Sequence, residues 1–181
     1  MVIYLATLKQ TSLKPQDIVV CLKLHLWNGN QTIQNLSQAL FISAGEVHGA
    51  LKRAEASRLI VAEGRTHKLF QAAFIEFVVH GLKYTFPAST GPAVRGMPTG
   101  ISAAQEFSRQ FEPTEALPYV WPHPEGRVTG IGLAPLFPSV PKAAAVDTKM
   151  YKALALIDAI REGAAREREF AIQEIQMMLA I

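Results

Sequence analysis

Cysteine is nearly absent from this chain of 181 residues, in which Cys21 is the only one. A single cysteine excludes an internal disulfide framework and every zinc motif that relies on several cysteines. Cys21 stands in a helical pattern among Val19, Val20 and Leu22. A free cysteine in such an apolar setting is usually a buried, unreactive thiol. We therefore predict a structural role for Cys21.

Long apolar runs are also lacking. No uncharged apolar stretch reaches the roughly 18 residues that a membrane-spanning helix requires, and the first residues lack the basic segment of a signal peptide. We therefore expect a cytoplasmic protein without a membrane partner. Hydrophobic residues still make up 49% of the chain, which is enough for a substantial core. The length suits one domain, or a small domain with an appendage.

Recognisable catalytic and metal-binding motifs are missing as well. The histidines share no metal-ligand spacing such as His-x-x-x-His. They are His25, His48, His67, His80 and His123. The chain contains no Gly-x-Ser-x-Gly elbow, no Walker-type loop, and no Gly-x-Gly-x-x-Gly after a strand. We therefore predict no enzyme activity, no cofactor and no metal.

Positive charge is in slight excess, and the excess lies in the first half of the chain. Residues 1–83 hold nine Lys and Arg against five Asp and Glu, residues 84–146 hold four against four, and residues 147–181 hold five against six. The net charge is +3. A basic excess confined to one region is what contact with phosphates requires, although an excess of four charges is small.

Two helices are predicted early in the chain. Proline at the first turn and an acidic residue beside the positive end of the helix dipole indicate a helix that begins at Pro15 and runs to about Trp27. A short amphipathic helix follows over residues 32–40, with Thr32 at its N-cap. Its apolar residues recur at helical spacing on one face.

A third helix is predicted over residues 43–55. Ser43 and Glu46 have the spacing of a capping box, in which each side chain accepts a hydrogen bond from the backbone amide of the other. Residues Val47, Ala50, Leu51 and Ala54 would be buried at helical spacing. After this helix, residues 59–63 and 67–70 flank Gly64-Arg65-Thr66, a pattern that predicts a β-hairpin with a basic tip.

This order of elements resembles the MarR-like winged-helix repressors. The resemblance covers residues 15–70 and is carried by Ser43, Val47, Leu51, Ser57-Arg58-Leu59-Ile60 and Gly64-Arg65. It implies a mainly α fold with a small β-hairpin wing, in which residues 1–83 form a winged helix-turn-helix domain. It further implies binding to double-stranded DNA, with the capped helix in the major groove and the hairpin on the backbone.

The resemblance also assigns the DNA-contacting positions. On the capped helix and its start they are Ser43, Ala44, Gly45, His48, Gly49, Lys52 and Arg53. After the helix and in the hairpin they are Arg58, Arg65, Thr66, His67 and Lys68. His48 and Lys52 are the candidates for base readout, and lysine favours guanine. The other basic residues are candidates for phosphate or minor-groove contact, and the alternative for each predicted contact is an ordinary solvated surface charge.

Gly45 and Gly49 depart from the family's usual pattern. Neither has a side chain to read a base, and each lowers helix stability by about 1 kcal/mol relative to alanine. One explanation is that they let the helix backbone approach DNA or another protein closely. The other is that the helix no longer reads bases, and that specificity has moved to the wing and to DNA shape.

Residues 84–146 differ from the rest of the chain in their proline and glycine content. Ten of the eleven prolines and six of the twelve glycines fall within 84–142, a density that disfavours long helices and central strands. Because the segment also carries many apolar residues, we predict an extended strap whose aromatic residues dock onto helices. Short strands are predicted at Tyr84–Phe86 and Gly126–Leu133. Arg95 could hold an anion in a turn, but Pro92 and Pro98 remove amides that a phosphate site would use, so we expect it to belong to this packing. Trp121 packs, lines a small-molecule pocket or anchors a partner.

The remaining segments are predicted to be helical. Residues 71–82 are apolar on nearly every side, so this helix must bury more than one face, against the C-terminal region or a second subunit. Residues 147–181 form a C-terminal helical region with a stop or kink at Gly163. Its apolar stripe would either cap helix 71–82 or form a dimer seam.

Two functions of different class follow. The first is a sequence-specific transcriptional regulator, a repressor, that acts as a homodimer on double-stranded DNA. The second is a winged-helix protein-interaction module, such as an antitoxin or adaptor, that binds a partner protein. The glycines on the reading face and the long strap favour the second, whereas the basic hairpin favours the first.

Overall fold

The computed structural model describes residues 11–27, 31–64, 66–111 and 116–180. The predicted contact residue Arg65 lies outside these ranges. Within them the chain is mainly helical, with a two-stranded and a three-stranded sheet. No helix in this described part combines the length and apolar character needed to cross a bilayer.

The first helix, α1 (Pro15–Leu26), lies at the centre of the fold. Every residue from Gln16 to Leu24 is buried. The helix contacts α2 (Ile33–Leu40), α3 (Ala44–Ala56) and a later helix, α8 (Thr148–Glu162). Cys21 is fully buried, as predicted, and this burial raises the pKa of its thiol well above the ordinary range.

The caps of α2 and α3 match the sequence pattern. Thr32 Oγ1 accepts from the Asn35 amide at 3.1 Å, and Ser43 Oγ accepts from the Glu46 amide at 3.2 Å. In the predicted capping box the Glu46 carboxylate would accept from the Ser43 amide. In the structure it accepts instead from the side chains of Gln16 and Arg53. The buried face of α3 is formed by the four residues that spacing predicts.

A β-hairpin follows α3, as predicted. Strand β1 (Ile60–Glu63) pairs antiparallel with β2 (Thr66–Leu69), and Glu63 pairs with Thr66. Gly64 has a φ of 64° in the turn, a left-handed conformation that glycine adopts without strain. The hairpin is joined to the core by the Leu59 amide, which donates to the Ala54 carbonyl at the end of α3.

The predicted apolar helix is longer and less regular than its sequence indicates. It consists of α4 (Gln71–Glu76), a π-helical turn (Phe77–Gly81) and α5 (Leu82–Thr85). The predicted strand at Tyr84–Phe86 is therefore wrong, since the helix continues through Thr85 and Tyr84 is exposed. Its contacts with α8 and α9 (Ala165–Leu179) show that C-terminal helices cover it within the same chain.

The predicted strap contains a folded sheet. Strands β3 (Thr90–Pro98), β4 (Tyr119–Pro122) and β5 (Val128–Leu133) each pair with the other two and so close on themselves. The predicted strand over Gly126–Leu133 is confirmed in β5. Between β3 and β4 lie a short 3-10 turn (Gly100–Ala103) and a helical turn, α6 (Gln105–Ser108).

Glycine makes this closure possible. A Cβ on Gly96 would lie 2.2 Å from the Trp121 carbonyl oxygen, and one on Gly130 would lie 2.2 Å from the Pro118 carbonyl oxygen. Any other residue would therefore hold the strands apart. The prolines fit because Pro92 falls in the irregular part of β3, whereas Pro98 and Pro122 end their strands.

The C-terminal region folds as predicted. Asp147 caps α8 by accepting from the Met150 amide at 3.0 Å, and Gly163 ends that helix. A preceding helix, α7 (Val140–Val146), and α9 pack against α8. Trp121 packs on Tyr151 of α8, with ring centroids 5.8 Å apart. The expectation that aromatic residues of 84–142 dock onto helices is thus confirmed for Trp121.

Two polar links join the C-terminal helices to the rest. Lys23, whose side chain is only 3% exposed, places its Nζ 2.5 Å from Asp147 Oδ2 and so connects α1 to the start of α8. Asp158, inside α8, accepts from Trp121 Nε1 at 2.6 Å and from Thr99 Oγ1 at 2.8 Å, and pairs with Arg161 at 2.7 Å. These contacts fix α8 between α1 and the three-stranded sheet.

Candidate nucleic-acid interface

The outward side of α3 is open to solvent. Ser43, Ala44, Gly45, His48 and Lys52 are all exposed, and we call Gly45, His48 and Lys52, which recur at helical spacing, the α3 outer stripe. No atom outside its own helix lies within 4 Å of a Cβ built on Gly45. Packing within the protein therefore does not explain the glycine at this position.

Gly49 has a different setting. A Cβ built on Gly49 would lie 3.0 Å from Nη1 of Arg53. Without that Cβ, the guanidinium of Arg53 lies along the helix and reaches Glu46 Oε1, 3.2 Å from its Nη2. Gly49 thus makes room for a side chain of its own helix, an explanation that residue spacing alone did not supply.

Arg53 is tied to the first helix. Its Nε lies 2.9 Å from Asp17 Oδ2 and its Nη2 lies 2.7 Å from Asp17 Oδ1, a two-pronged contact. Asp17 is fully buried and also accepts from the Lys14 amide at 2.8 Å. The guanidinium is largely covered, with the side chain 17% exposed. The geometry favours a structural role for Arg53, so we leave it out of the interface proposed below.

Glu46 completes this network at the start of α3. Its Oε1 lies 2.5 Å from Gln16 Nε2. This hydrogen bond lowers the pKa of Glu46, and the positive charges of Arg53 and Lys14 and the hydrogen bond from Arg53 lower it further. Desolvation opposes these effects but does not outweigh them. An ionised Glu46 also suits the positive end of the α3 dipole. Gln16 and Asp17 were not singled out as anchors of α3, because nothing in their spacing relates them to Glu46 and Arg53.

The hairpin and its approach carry the other predicted contacts. Arg58 and Lys68 are exposed, whereas Thr66 and His67 are half-buried. Arg58 has a φ of 57°, a left-handed conformation that few residues other than glycine adopt. Thr66 Oγ1 donates to the Glu63 carbonyl at 2.9 Å, which directs this hydroxyl to the turn.

Negative charge is also present near these residues. Glu55 is exposed and lies three residues after Lys52 on α3, and Glu63 is exposed at the end of β1. Two carboxylates therefore reduce the positive potential around Lys52 and the hairpin. Any binding of phosphates here would depend on a few specific contacts rather than on a strongly basic surface.

An apolar groove lies at the base of the hairpin. It is lined by Glu55, Arg58, Ile60, Val61, Ala62 and Phe70 and has a volume of about 330 Å³. Val61 is 52% exposed and Phe70 is 50% exposed. Sequence reasoning did not find this groove. A signal that could have indicated it is the apolar run Ile60-Val61-Ala62, in which only Ile60 turns out to be buried.

Metal chemistry has no support in the described ranges, which bring together no group of three or more His, Cys, Asp and Glu side chains suited to an ion. Comparison with protein-family models, with curated proteins and with solved structures gave no match to this chain. Its function is therefore inferred from its own residues.

Proposed function

We propose that this protein is a winged-helix DNA-binding regulator, a repressor that acts as a homodimer. The observation that carries the proposal is the solvent-exposed outer stripe of α3, which is followed along the chain by a hairpin with an exposed Lys68. In this arrangement α3 enters the major groove and the hairpin lies on the backbone.

The start of α3 supports the proposal. Ala44 and Gly45 are exposed in the first turn, where backbone amides have no partner within the helix and the dipole is positive. The Glu46 carboxylate already lies at this positive end, so the start of α3 supports the proposal through its accessible backbone rather than as a phosphate site. Since Gly45 has open space where a side chain would be, the backbone of α3 can approach a DNA strand more closely here than at any larger residue.

The roles within the interface differ. His48 and Lys52 are the outward side chains that reach base edges, with guanine the preferred base for Lys52. Arg58 and Lys68 contact phosphates, as does Arg65 in the sequence-based prediction. With so few base-reading side chains, part of the specificity comes from DNA shape.

The proposal is tested by selecting duplexes from a random-sequence DNA pool and measuring their affinity by fluorescence anisotropy at several salt concentrations. Affinity should fall steeply with salt because each phosphate contact releases counterions. Lys68→Ala should reduce the slope of log K against log salt by about one, and Lys52→Ala should also relax the base preference.

Lys142→Ala is the matched control, since Lys142 is an exposed lysine on α7 outside the proposed interface. It should leave affinity and salt slope unchanged. A wild-type affinity that does not respond to salt contradicts the proposal. Equal effects of Lys52→Ala, Lys68→Ala and Lys142→Ala contradict the assigned surface.

The homodimer is part of the proposal, because regulators of this kind read two half-sites about one helical turn apart. Sedimentation equilibrium of the free protein and of its complex with selected DNA measures the stoichiometry. Selected sequences should show two-fold symmetry if two chains bind. A monomer on a site without symmetry contradicts this part alone.

The groove at the base of the hairpin favours a second candidate, a module that binds a partner protein. Exposed Val61 and Phe70 form an apolar surface flanked by one positive and one negative side chain, Arg58 and Glu55. If this is the function, the double variant Val61→Ser with Phe70→Ser should no longer bind the partner protein. The double variant Lys52→Ala with Arg65→Ala should still bind it. A stoichiometric protein that co-purifies and is lost with the first pair of changes distinguishes the two candidates.

A further inference from the structure

A cavity of about 210 Å³ lies between the three-stranded sheet and the junction of α8 with α9. Its walls come from the segment after β3, the segment that enters β4, the strand β5, and the last turn of α8 with the first turn of α9. The cavity is remote in sequence from α3 and the hairpin. It belongs to no site described above.

Much of the wall is apolar. Ile101, Leu117, Ile131, Leu133 and Ala159 line it, and Leu133 and Ala159 are almost fully buried. A dry cavity of roughly 150 Å³ with such a lining is large enough to hold benzene. The space here therefore accepts one ring or a short branched chain, together with a small head group.

The polar groups on the wall set the charge that this head group must have. Glu167 lines the cavity, as does Asp158, whose charge Arg161 balances, and none of the described lining residues carries a positive charge. Asp158 already holds Arg161, whose other donors go to the carbonyls of Phe86 and Pro87. The guanidinium is therefore committed to protein oxygens rather than to a ligand.

An anion has no evident place in this cavity. The start of α9, which would attract one, is occupied by the carboxylate of Glu167, whose Oε2 accepts from the Ala164 amide at 2.8 Å. Arg168, a cation in the first turns of α9, donates to the carbonyls of Ile160 and Gly163. These contacts satisfy the end of α8 and leave Arg168 outside the lining.

Tyr119, which also lines the cavity, lies in the same negative surroundings. Burial raises the pKa of its phenol, and the charges of Glu162 and Glu167, with a hydrogen bond to Glu162, raise it further. Tyr119 and Glu167 thus line one cavity whose electrostatic surroundings are negative. A carboxylate accepts several hydrogen bonds, so Glu167 can accept from a ligand as well as from its own helix.

We propose that this cavity binds a small organic amine, a cation whose apolar body fills the space between Leu133 and Ala159 and whose ammonium group faces Glu167. The body supplies hydrophobic affinity, and the charge supplies selection over neutral molecules of the same shape. This site does not depend on the DNA-binding function proposed above.

The test compares three probes of similar size on the wild-type protein, namely 2-phenylethylamine, 2-phenylethanol and 3-phenylpropanoate. Binding is measured by titration with ¹H–¹⁵N correlation spectra. The amine should bind about tenfold or more tightly than the alcohol, and the carboxylate should not bind detectably. Shifts should concentrate on the amides of Gly100, Ser102 and Gly163, which line the cavity.

A matched pair of variants tests the role of the charge. Glu167→Gln keeps a side chain that can cap α9 and should weaken amine binding about tenfold while leaving alcohol binding unchanged. Glu169→Gln removes an exposed charge from the same helix and should change both affinities by less than about twofold, because exposed charges are screened.

Four results overturn the proposal. They are no amine binding at millimolar concentration, equal affinity for the three probes, shifts that map elsewhere, and equal losses in Glu167→Gln and Glu169→Gln. If Glu167→Gln does not fold, the comparison of probes and the location of the shifts on the wild-type protein still decide the outcome.

Discussion

Arg53 occupies the space beside Gly49 that a larger side chain would take, and its Nη1 lies 3.0 Å from where a Cβ of Gly49 would be. This contact allows the guanidinium to bridge Asp17 on α1 and Glu46 at the start of α3. This arginine and this glycine therefore help to hold α3 against α1, together with the apolar residues buried on both helices. Neither residue then needs to contact DNA for its presence to be explained.

Arg53→Gln should destabilise the protein by about 3–5 kcal/mol, because it leaves the carboxylate of Asp17 buried without its cation. Urea unfolding measures the free energy. Asp17→Asn combined with Arg53→Gln should recover part of the loss, since no charge is then buried unpaired. Lys52→Ala, an exposed change on the same helix, should stay within about 0.5 kcal/mol of wild type. A loss in Arg53→Gln as small as in Lys52→Ala would refute the structural role.

Gly45→Ala should stabilise the protein by about 1 kcal/mol, because alanine is the better helix former and the new methyl meets open space. Gly49→Ala should gain less, since its methyl would press on a guanidinium that Asp17 holds in place. Urea unfolding of both variants provides the comparison. Equal gains in the free energy of unfolding would mean that the Arg53 side chain moves aside without cost.

Phe41→Gly should be more stable than Phe41→Ala by about 1 kcal/mol. Phe41 ends α2 with a φ of 54° and a ψ of 40°, a left-handed conformation that disfavours any residue with a Cβ. Both changes remove the ring, so their difference isolates the backbone. At Gln38, an exposed position inside α2, the order should reverse, with glycine less stable than alanine. If alanine were more stable than glycine at both positions, in thermal and urea unfolding, strain at Phe41 would be excluded.

Asp147→Asn should destabilise the protein by about 1.5–3 kcal/mol near neutral pH, because Lys23 is buried and loses its charged partner. Asparagine still caps α8, so the change isolates the charge. Burial alone would raise the pKa of Asp147, but hydrogen bonds from Lys23 and the Met150 amide, with the charge of Lys23, lower it overall.

A carboxyl group whose pKa is lower in the folded state than in the unfolded state stabilises the protein at pH values above the unfolded-state pKa. This stabilisation is lost as the pH falls through the folded-state pKa. The difference between wild type and Asp147→Asn should therefore shrink below about pH 4, measured by urea unfolding across the acid range. Glu106→Gln, which breaks the exposed pair with Lys152, should change stability by less than about 1 kcal/mol. A difference for Asp147→Asn that does not change with pH would contradict the ionic origin.

Much of the helical framework was predictable because its signals are local. Pro15, Thr32, Ser43 and Asp147 mark helix starts through contacts within a few residues of each position. The hairpin was predictable for the same reason, since a glycine that permits positive φ lies between two apolar runs. The strand predicted at Tyr84–Phe86 was wrong, because a π-helical turn carries the preceding helix further than spacing indicates.

The three-stranded sheet was only partly predictable. Proline and glycine argued against central strands in 84–142, but here glycines allow three strands to approach closely enough to close. The same residues that weaken an ordinary strand are required where backbones touch. Residue statistics do not distinguish the two cases, because the distinction depends on which strand lies opposite.

The amino-acid sequence by itself determined where the helices and the hairpin form and which of their residues turn inward, since these depend on spacing and capping along one segment. The tertiary structure decided what occupies the space beside Gly49, which carboxylate holds Arg53, and that a cavity exists beside Glu167. Asp17 and Arg53 are 36 residues apart, and only the folded chain brings such groups within hydrogen-bonding distance. The free energy of such a contact depends on the burial that surrounds it, which no single segment specifies.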